Sequence, residues 1–414
     1  MLKKIPVVQL RMGMHLHQLE GSWLKHPFWK SRFVIDDAGD LKSLVACGVA
    51  ECWIDNELGL DLEVPVLAAP PAMPAVAPVA PVIAAPSLAT GTAERPFAEE
   101  LKQAASICQR GRSAVNAMFN EARMGRTVDA EHCLPLVHDI ASSVQRNPAA
   151  FVSLARLKTR DDYSYMHSVA VCALMVALAR QTGVDEDGCR AAGLAGLMHD
   201  IGKALMPLEV LNKPGKLTDA EFEVMRTHPA RGHALLEGGQ GVTAQTLDVV
   251  LHHHERIDGT GYPHGLAGDA LSTLARMGAI CDVYDAITSN RPYKMGWDPA
   301  LSIARMASWK GHLDPALFAA FVQTLGIYPT GSVVRLASGK LAVVVEQNSA
   351  NLISPVVKMF FSTKSQMQIT PLQLDLSRPG MQDRIVGREE DASRLFPRLE
   401  ELWADPDTLR RMKA

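Results

Sequence analysis

Residues 167–183 read HSVAVCALMVALARQTG, an apolar run of helical length that opens on a histidine. Apolar residues at three- and four-residue spacing also mark FAEELKQAASICQRGRSAVNAMF (97–119) and LARMGAICDVYDAITS (274–289), and this spacing is typical of α-helices. We therefore predict an all-α domain over residues 97–327, with its core in residues 150–327.

The segments outside this helical domain have other patterns, so a multi-domain chain is predicted. Residues 1–63 mix short apolar runs with Gly and Asp, which predicts a small α/β or mostly β N-terminal domain. Residues 64–96 are rich in Pro and Ala, and their prolines favour an extended linker over a membrane-spanning helix. The period then changes to two, which predicts a small β extension over residues 328–378. Residues 379–414 are amphipathic and charged, and they predict a C-terminal helical tail at the surface or for partner binding.

The composition excludes several classes of protein. The 414 residues carry a formal net charge of -3, so no basic field favours DNA or RNA as a partner. Seven cysteines without a CxxC pair argue against a disulfide framework or a thiolate zinc site. The N-terminus lacks an apolar run of signal-peptide length. We expect a cytoplasmic protein with no membrane span.

The histidines are concentrated in one part of the chain, since eight of the fourteen lie between His167 and His264. Together with two aspartates they give seven candidate metal ligands: His167, His199, Asp200, His228, His253, His254 and Asp282. This set suffices for two octahedral divalent ions, and the absence of cysteine favours iron or manganese over zinc. Two such ions clamp a phosphoryl group and activate a water molecule near neutral pH. The sequence thus predicts a dinuclear site for phosphoester hydrolysis, with an aspartate as the bridge.

Four motifs resemble the HD-GYP family of bacterial cyclic di-GMP phosphodiesterases, a branch of the HD phosphohydrolase superfamily. They are HDIGK (199–203), HP in RTHPARG (228–229), HHERIDGTGYP (253–263) and CDVYDAITSNRPYK (281–294). The resemblance covers approximately residues 150–330. It implies one ion held by His167, His199, Asp200 and Asp282, and a second held by Asp200, His228, His253 and His254.

The resemblance also implies roles for residues that do not bind metal. Lys203 matches a catalytic lysine that steadies developing charge or protonates the leaving oxygen, while Asp200 bridges the ions. Tyr262 matches the loop that shapes the substrate pocket, and Arg291 and Lys294 match residues that hold the dinucleotide's phosphates. Some members place a third metal with a glutamate four residues before the first histidine.

This chain departs from that third-metal pattern, because Tyr163 stands at the glutamate position. Asp161 and Asp162 are nearby but out of helical register. We therefore predict two metals.

The expected activity is hydrolysis of cyclic di-GMP to pGpG in second-messenger signalling, and the choice between pGpG and GMP as end product stays open. Two alternatives stay open: a hydrolase of another cyclic dinucleotide, and a catalytically weak cyclic di-GMP receptor or scaffold. Residues 1–63 resemble a domain of unknown function often found ahead of this catalytic domain, which suggests regulation. We also expect protein partners, bound through the N-terminal domain, the C-terminal helix or the GYP loop, which contains Gly261, Tyr262 and Pro263. A homodimer is a further expectation.

Some polar residues near the motifs receive no ligand role. His252, His233 and His264 are interpreted as residues around the site or at the surface. Asp285, nearly one turn after Asp282, has two equally supported interpretations: it orients a ligand histidine, or it caps and solubilises its helix.

Overall fold

The chain divides into two compact units, Met1–Ile83 and Ala84–Ala414. The computed structural model describes residues 2–20, 33–35, 41, 51–55, 58–60, 95–126, 128–157, 163–289, 296–348, 350–389, 396 and 398–413. Most of the predicted linker, 64–96, lies outside these residues. No helix in the part of the chain described is both long and apolar enough to cross a membrane.

The described N-terminal residues form a four-stranded antiparallel sheet in the order β1-β4-β2-β3. Its strands are β1 (Leu2–Pro6), β2 (His15–Glu20), β3 (Phe33–Val34) and β4 (Glu51–Asp55). In β4 the residues alternate, so that Cys52 and Ile54 are fully buried while their neighbours are not. They pack with Ile5, Met14 and Leu16 in a separate small core, which agrees with the predicted mostly β domain.

The second unit begins with twelve α-helices in the described residues between Phe97 and Leu325, which confirms the predicted all-α domain in the central part of the chain. Their bounds are α1 (Phe97–Arg123), α2 (Leu134–Arg146), α3 (Pro148–Ala155), α4 (Tyr163–Gln181), α5 (Glu186–Met198), α6 (Leu208–Leu211), α7 (Asp219–Met225), α8 (His228–Leu236), α9 (Ala244–His252), α10 (Thr273–Thr288), α11 (Pro299–Ser308) and α12 (Pro315–Leu325). Short 3-10 turns lie at Ala130–Cys133, Ile201–Leu205 and Gly268–Ala270.

Helix α4 occupies the centre of this unit. Every residue from 165 to 179 is buried, because α1, α2, α3, α5, α10 and α12 all pack against it. A helix that is apolar on all faces is stable only in such surroundings. The unbroken run VAVCALMVALA therefore reflects burial on every side, and it places His167 at the buried start of α4.

Several helix starts are fixed by local sequence. Thr218 and Glu221 form a full capping box at the start of α7, in which each side chain accepts from the other residue's backbone N–H. Asp298 and Asp314 cap α11 and α12, and each is followed by a proline at the first helical position. A buried Glu100 on α1 accepts from Ser143 and Arg146, which ties α1 to α2.

After the helices comes a five-stranded antiparallel sheet in the order β8-β7-β6-β5-β9. Its strands are β5 (Val333–Leu336), β6 (Lys340–Glu346), β7 (Val356–Ser362), β8 (Met367–Asp375) and β9 (Ile385–Arg388). Central strand β6 is buried on both faces from Leu341 to Val345, which explains its continuous apolar run. The hairpin between β5 and β6 turns at Ser338-Gly339, where Gly339 has φ 79°.

The end of the chain differs from the prediction in two ways. The sequence pattern predicts that residues 385–388 belong to the helical tail, but they form β9, which pairs with β5 at one edge of the sheet. The final helix α13 (Pro406–Lys413) packs on α1, with Leu409 and Met412 buried in the helical core. Its apolar residues are thus used within this chain, and the amphipathic pattern that suggested partner binding reflects an internal contact.

Candidate metal centre

All seven candidate ligands lie together in the helical unit, although five separate segments supply them. His167 is on the second turn of α4, and His199 with Asp200 follows the end of α5. His228 begins α8, His253 and His254 follow α9, and Asp282 is in the middle of α10. Their donor atoms form two groups, each compact enough to hold a cation: Asp200, His228, His253 and His254, and His167, His199 and Asp282.

The carboxylate of Asp200 lies between the two groups. Its Oδ2 is 3.2 Å from His167 Nε2 and 3.4 Å from His199 Nε2. Its Oδ1 is 3.2 Å from His228 Nε2 and 3.7 Å from His253 Nε2. One oxygen therefore faces each group, which is the arrangement of a bridging carboxylate.

Three of the histidines are held by hydrogen bonds from Nδ1 to backbone carbonyls, on the side away from the cluster. His199 donates to the Gly196 carbonyl and His228 to the Met225 carbonyl, both at 2.8 Å. His253 Nδ1 lies 3.1 and 3.0 Å from the carbonyls of residues 249 and 250. A carbonyl oxygen only accepts, so each Nδ1 carries the hydrogen and each Nε2 presents a lone pair to the centre.

These inward lone pairs face one another at short range. His199 Nε2 is 3.1 Å from His167 Nε2, and His228 Nε2 is 3.4 Å from His253 Nε2. Asp200 Oδ1 is buried and accepts no hydrogen bond from the described residues. The opposed nitrogens of His228 and His253, beside a buried carboxylate oxygen, are unfavourable unless a cation lies between them. The donor set therefore fits divalent cations.

Asp285 orients His167. The Asp285 side chain is fully buried, and its Oδ2 is 2.6 Å from His167 Nδ1. A buried residue does not solubilise its helix, so the structure selects the first of the two interpretations of Asp285. A carboxylate at Nδ1 fixes the tautomer and makes the other nitrogen a stronger ligand.

Burial and charge act in opposite directions on the pKa values of the cluster. Burial alone would lower the pKa of His167, but Asp200, Asp282 and Asp285 outweigh it and raise that pKa well above its usual value. Burial alone would raise the pKa of Asp200, but Lys203 and the histidines hold it well below its usual range. The excess of negative charge around His167 is what a bound cation would neutralise.

For His253 and His254 in the second group, the effect of burial on the pKa outweighs that of the nearby carboxylates. Burial lowers the pKa of His253 to about 4, and burial together with the neighbouring His253 lowers that of His254 well below its usual value. Both imidazoles are therefore neutral near pH 7, which is the state that binds metal.

Gly202 of the HDIGK motif explains how α8 reaches the centre. A Cβ at this position would lie 1.9 Å from the His228 carbonyl oxygen and 2.7 Å from the Gly232 nitrogen. Only glycine allows the turn at Ile201–Leu205 to contact the start of α8 so closely. The contact places His228 against Asp200.

The loop after His254 is tied back to the ligands. Glu255 is buried, and its Oε1 accepts from the backbone nitrogens of His264 and Gly265 at 2.7 and 3.1 Å. Tyr262 donates its backbone N–H to the His254 carbonyl, and its ring stacks on that of His254 with centroids 4.7 Å apart. These contacts join the loop to the ligand pair.

Lys203 lies at the edge of the cluster, where its ammonium donates to Asp200 Oδ2. Arg291 and Lys294 fall in residues 290–295, which lie outside the described residues, as does the side chain of Tyr163. His252 contacts Asp248 and His264 at 2.8 and 3.2 Å and belongs to neither ligand group. His233 and His264 also stand outside both groups.

The sequence motifs assign no role to Gly202 or Glu255 and leave that of Asp285 undecided. Glu255 directly follows the ligand pair in HHE, which was a usable signal for it. The contact of Asp285 with His167 crosses 118 residues of sequence, so spacing alone could not select it.

Comparison with known proteins identifies the family. A domain of unknown function (DUF3391) matches residues 2–133, and an HD domain matches residues 139–317. A cyclic di-GMP phosphodiesterase of Pseudomonas aeruginosa is 53% identical over 405 residues, covering 97% of this chain and 96% of that protein. A cyclic di-GMP phosphodiesterase response regulator of Xanthomonas campestris is 44% identical over 140 residues, 33% of this chain and 37% of that protein. A 3′3′-cGAMP-specific phosphodiesterase of Vibrio cholerae is 36% identical over 168 residues, 40% of this chain and 38% of that protein. The chain therefore belongs to the HD-GYP family of cyclic di-GMP phosphodiesterases, within the HD phosphohydrolase superfamily.

Proposed function

We propose that this protein hydrolyses cyclic di-GMP to linear pGpG at the cluster around Asp200. The observation that carries the proposal is the division of the Asp200 carboxylate, with Oδ2 facing His167 and His199 and Oδ1 facing His228 and His253. The 53% identity to a cyclic di-GMP phosphodiesterase over nearly the whole chain supports the choice of substrate.

Two divalent cations are proposed at this centre. The proposed ligands of one are His167, His199, Asp200 and Asp282, and those of the other are Asp200, His228, His253 and His254. The donors are nitrogen and oxygen only, which favours iron or manganese over zinc. When bound, such cations polarise phosphoryl oxygens and lower the pKa of water.

The remaining residues act on the substrate. Hydrolysis adds one water across a P–O3′ bond, so the departing 3′ oxygen must take up a proton. Lys203, whose ammonium borders the cluster, supplies that proton or steadies the developing negative charge. Tyr262, whose ring stacks on that of His254, is proposed to shape the substrate pocket, and Arg291 and Lys294 are proposed to hold the phosphates.

Two other functions follow from the same site. One is hydrolysis of a mixed cyclic dinucleotide, and turnover on a panel of cyclic di-GMP, 3′3′-cGAMP and cyclic di-AMP separates it from the main proposal. The other is a receptor or scaffold, against which the intact ligand set argues. Protein partners and a homodimer stay predictions of the sequence.

The test combines metal analysis with an activity assay. Full-length protein purified without oxygen should retain close to two divalent ions and hydrolyse cyclic di-GMP. Asp200→Ala should lose both, because it removes the carboxylate that faces both groups. The control is Asp269→Ala, which removes an exposed aspartate after the loop that contains Tyr262. It should change neither metal content nor hydrolysis. Retained hydrolysis in Asp200→Ala would refute the assignment.

A further inference from the structure

A surface beside the GYP loop combines an exposed aromatic ring with a guanidinium group. Phe222 is 47% exposed, and its ring meets the Tyr262 ring edge to face with centroids 6.5 Å apart. The Arg226 guanidinium carbon lies 4.9 Å from the centroid of the same tyrosine ring. Phe222 and Arg226 are four residues apart at the end of α7, so they lie on one face.

This surface continues outward from the metal centre. The His254 ring lies 5.0 Å from that of His228, and the Tyr262 ring stacks on His254 at an interplanar angle of 29°. Phe222 and Arg226 form the next layer beyond Tyr262. A phosphodiester held at the ligand cluster would therefore carry its nucleoside along Tyr262 toward this layer.

The chemistry of the two residues matches a guanine base. An exposed aromatic ring offers a stacking face that any base can use. A guanidinium bears only donors and fits the two acceptors of guanine, O6 and N7, whereas adenine presents an amino group in place of O6. Arg226 Nη1 donates to Glu223 Oε1 at 2.9 Å, which holds the guanidinium in a defined orientation while it remains 36% exposed.

We propose that Phe222 and Arg226 form a guanine subsite, in which the base stacks on Phe222 and Arg226 donates to O6 and N7. The subsite rests on the proposed function, because its ligand is a guanine of cyclic di-GMP. It gives this chain a means to prefer guanine over adenine that the metal centre itself does not provide.

The test uses metal-loaded, full-length protein with two substrates. Phe222→Ala and Arg226→Lys should each raise KM for cyclic di-GMP about tenfold with kcat nearly unchanged, since one stacking or bidentate contact is lost. Arg226→Lys should also reduce the preference for cyclic di-GMP over cyclic di-AMP. Hydrolysis of bis(p-nitrophenyl) phosphate, which has no base, should keep its wild-type rate. The Kd of cyclic di-GMP, measured by calorimetry, should rise in parallel.

The matched control is Arg190→Lys. Arg190 pairs with Asp187 three residues earlier, as Arg226 pairs with Glu223, but it lies on α5. It should change neither KM nor base preference. A wild-type KM and base preference in Arg226→Lys would overturn the subsite, because a positive charge alone would then suffice. An equal loss of activity on bis(p-nitrophenyl) phosphate would also overturn it, because that substrate has no base. If wild-type protein hydrolyses neither substrate, the proposed function fails, and the calorimetric Kd of the variants still decides the subsite.

Discussion

Asp285 and His167 are joined by a 2.6 Å contact between Oδ2 and Nδ1 that is shielded from solvent. The contact lies on the opposite side of the imidazole from Asp200 and Asp282. His167 thus differs from His199, His228 and His253, whose Nδ1 atoms face backbone carbonyls. A negative charge at this position strengthens the inward nitrogen as a ligand.

Asp285→Asn should lower metal affinity about 10- to 100-fold, because it keeps the shape of the side chain but removes its charge. Metal content after dialysis against graded chelator measures the loss. The control is Asp248→Asn, which alters a similar contact with His252 outside the ligand groups. Equal metal retention in Asp285→Asn and wild type would contradict this role.

Gly202→Ala should destabilise the protein and weaken metal binding, because its Cβ would collide with the His228 backbone. Forced repacking of this kind costs about 1–3 kcal/mol. Thermal unfolding and metal analysis are the measurements. Gly387→Ala is the control, since a Cβ there meets nothing within 4 Å and its φ is not left-handed. A Gly202→Ala protein with full metal content would show that α8 can shift without moving His228 from Asp200.

Lys203→Ala should retain the metals while slowing turnover about 10²- to 10³-fold, as expected for loss of one group that stabilises the transition state. Metal content and kcat on cyclic di-GMP are measured on the same sample. Lys358→Ala, on β7 of the C-terminal sheet, is the control. Loss of metal from Lys203→Ala would assign the lysine to the assembly of the centre instead.

Stability should fall in alkaline solution because buried thiols must ionise. Burial raises the pKa of Cys108 from 9.0 to about 12, and that of Cys133 to about 11. The neutral thiols favour the folded state fully below pH 9, and this contribution is lost as pH rises from about 9 to about 12. Urea unfolding across that range should show the decline, with a shallower slope in Cys108→Ala. Rapid reaction of the native protein with a thiol reagent at pH 8 would argue against it.

The sequence predicted those parts of the fold that depend on local pattern. Helical spacing indicated the central domain, and the change to a period of two indicated the sheet. It did not predict that residues 385–388 pair with β5, because strand pairing across a long loop depends on tertiary contacts. It likewise missed the docking of Leu409 and Met412 on α1, since an amphipathic helix looks the same whether its partner is internal or external.

The sequence motifs predicted which residues form the candidate site, but they did not predict how those residues are arranged. All seven candidate ligands came from recognisable segments, and the structure brings them together. Two features required coordinates: the division of the Asp200 oxygens between two groups, and the close approach at Gly202. Each depends on distances between segments far apart in the chain. Arg291 and Lys294 lie outside the described residues and stay predictions.

The proposed ligands of this centre come from α4, α8, α10 and the ends of α5 and α9, and His167 and Asp282 lie more than one hundred residues apart in the chain. An ion bound by residues from such distant helices would cross-link them, and its binding free energy would add to the free energy of unfolding. A cell with too little of that metal would then contain less of this protein, because the metal-free chain is less stable and is cleaved more readily by proteases. Scarcity of the ion would reach signalling through the abundance of the enzyme as well as through its rate.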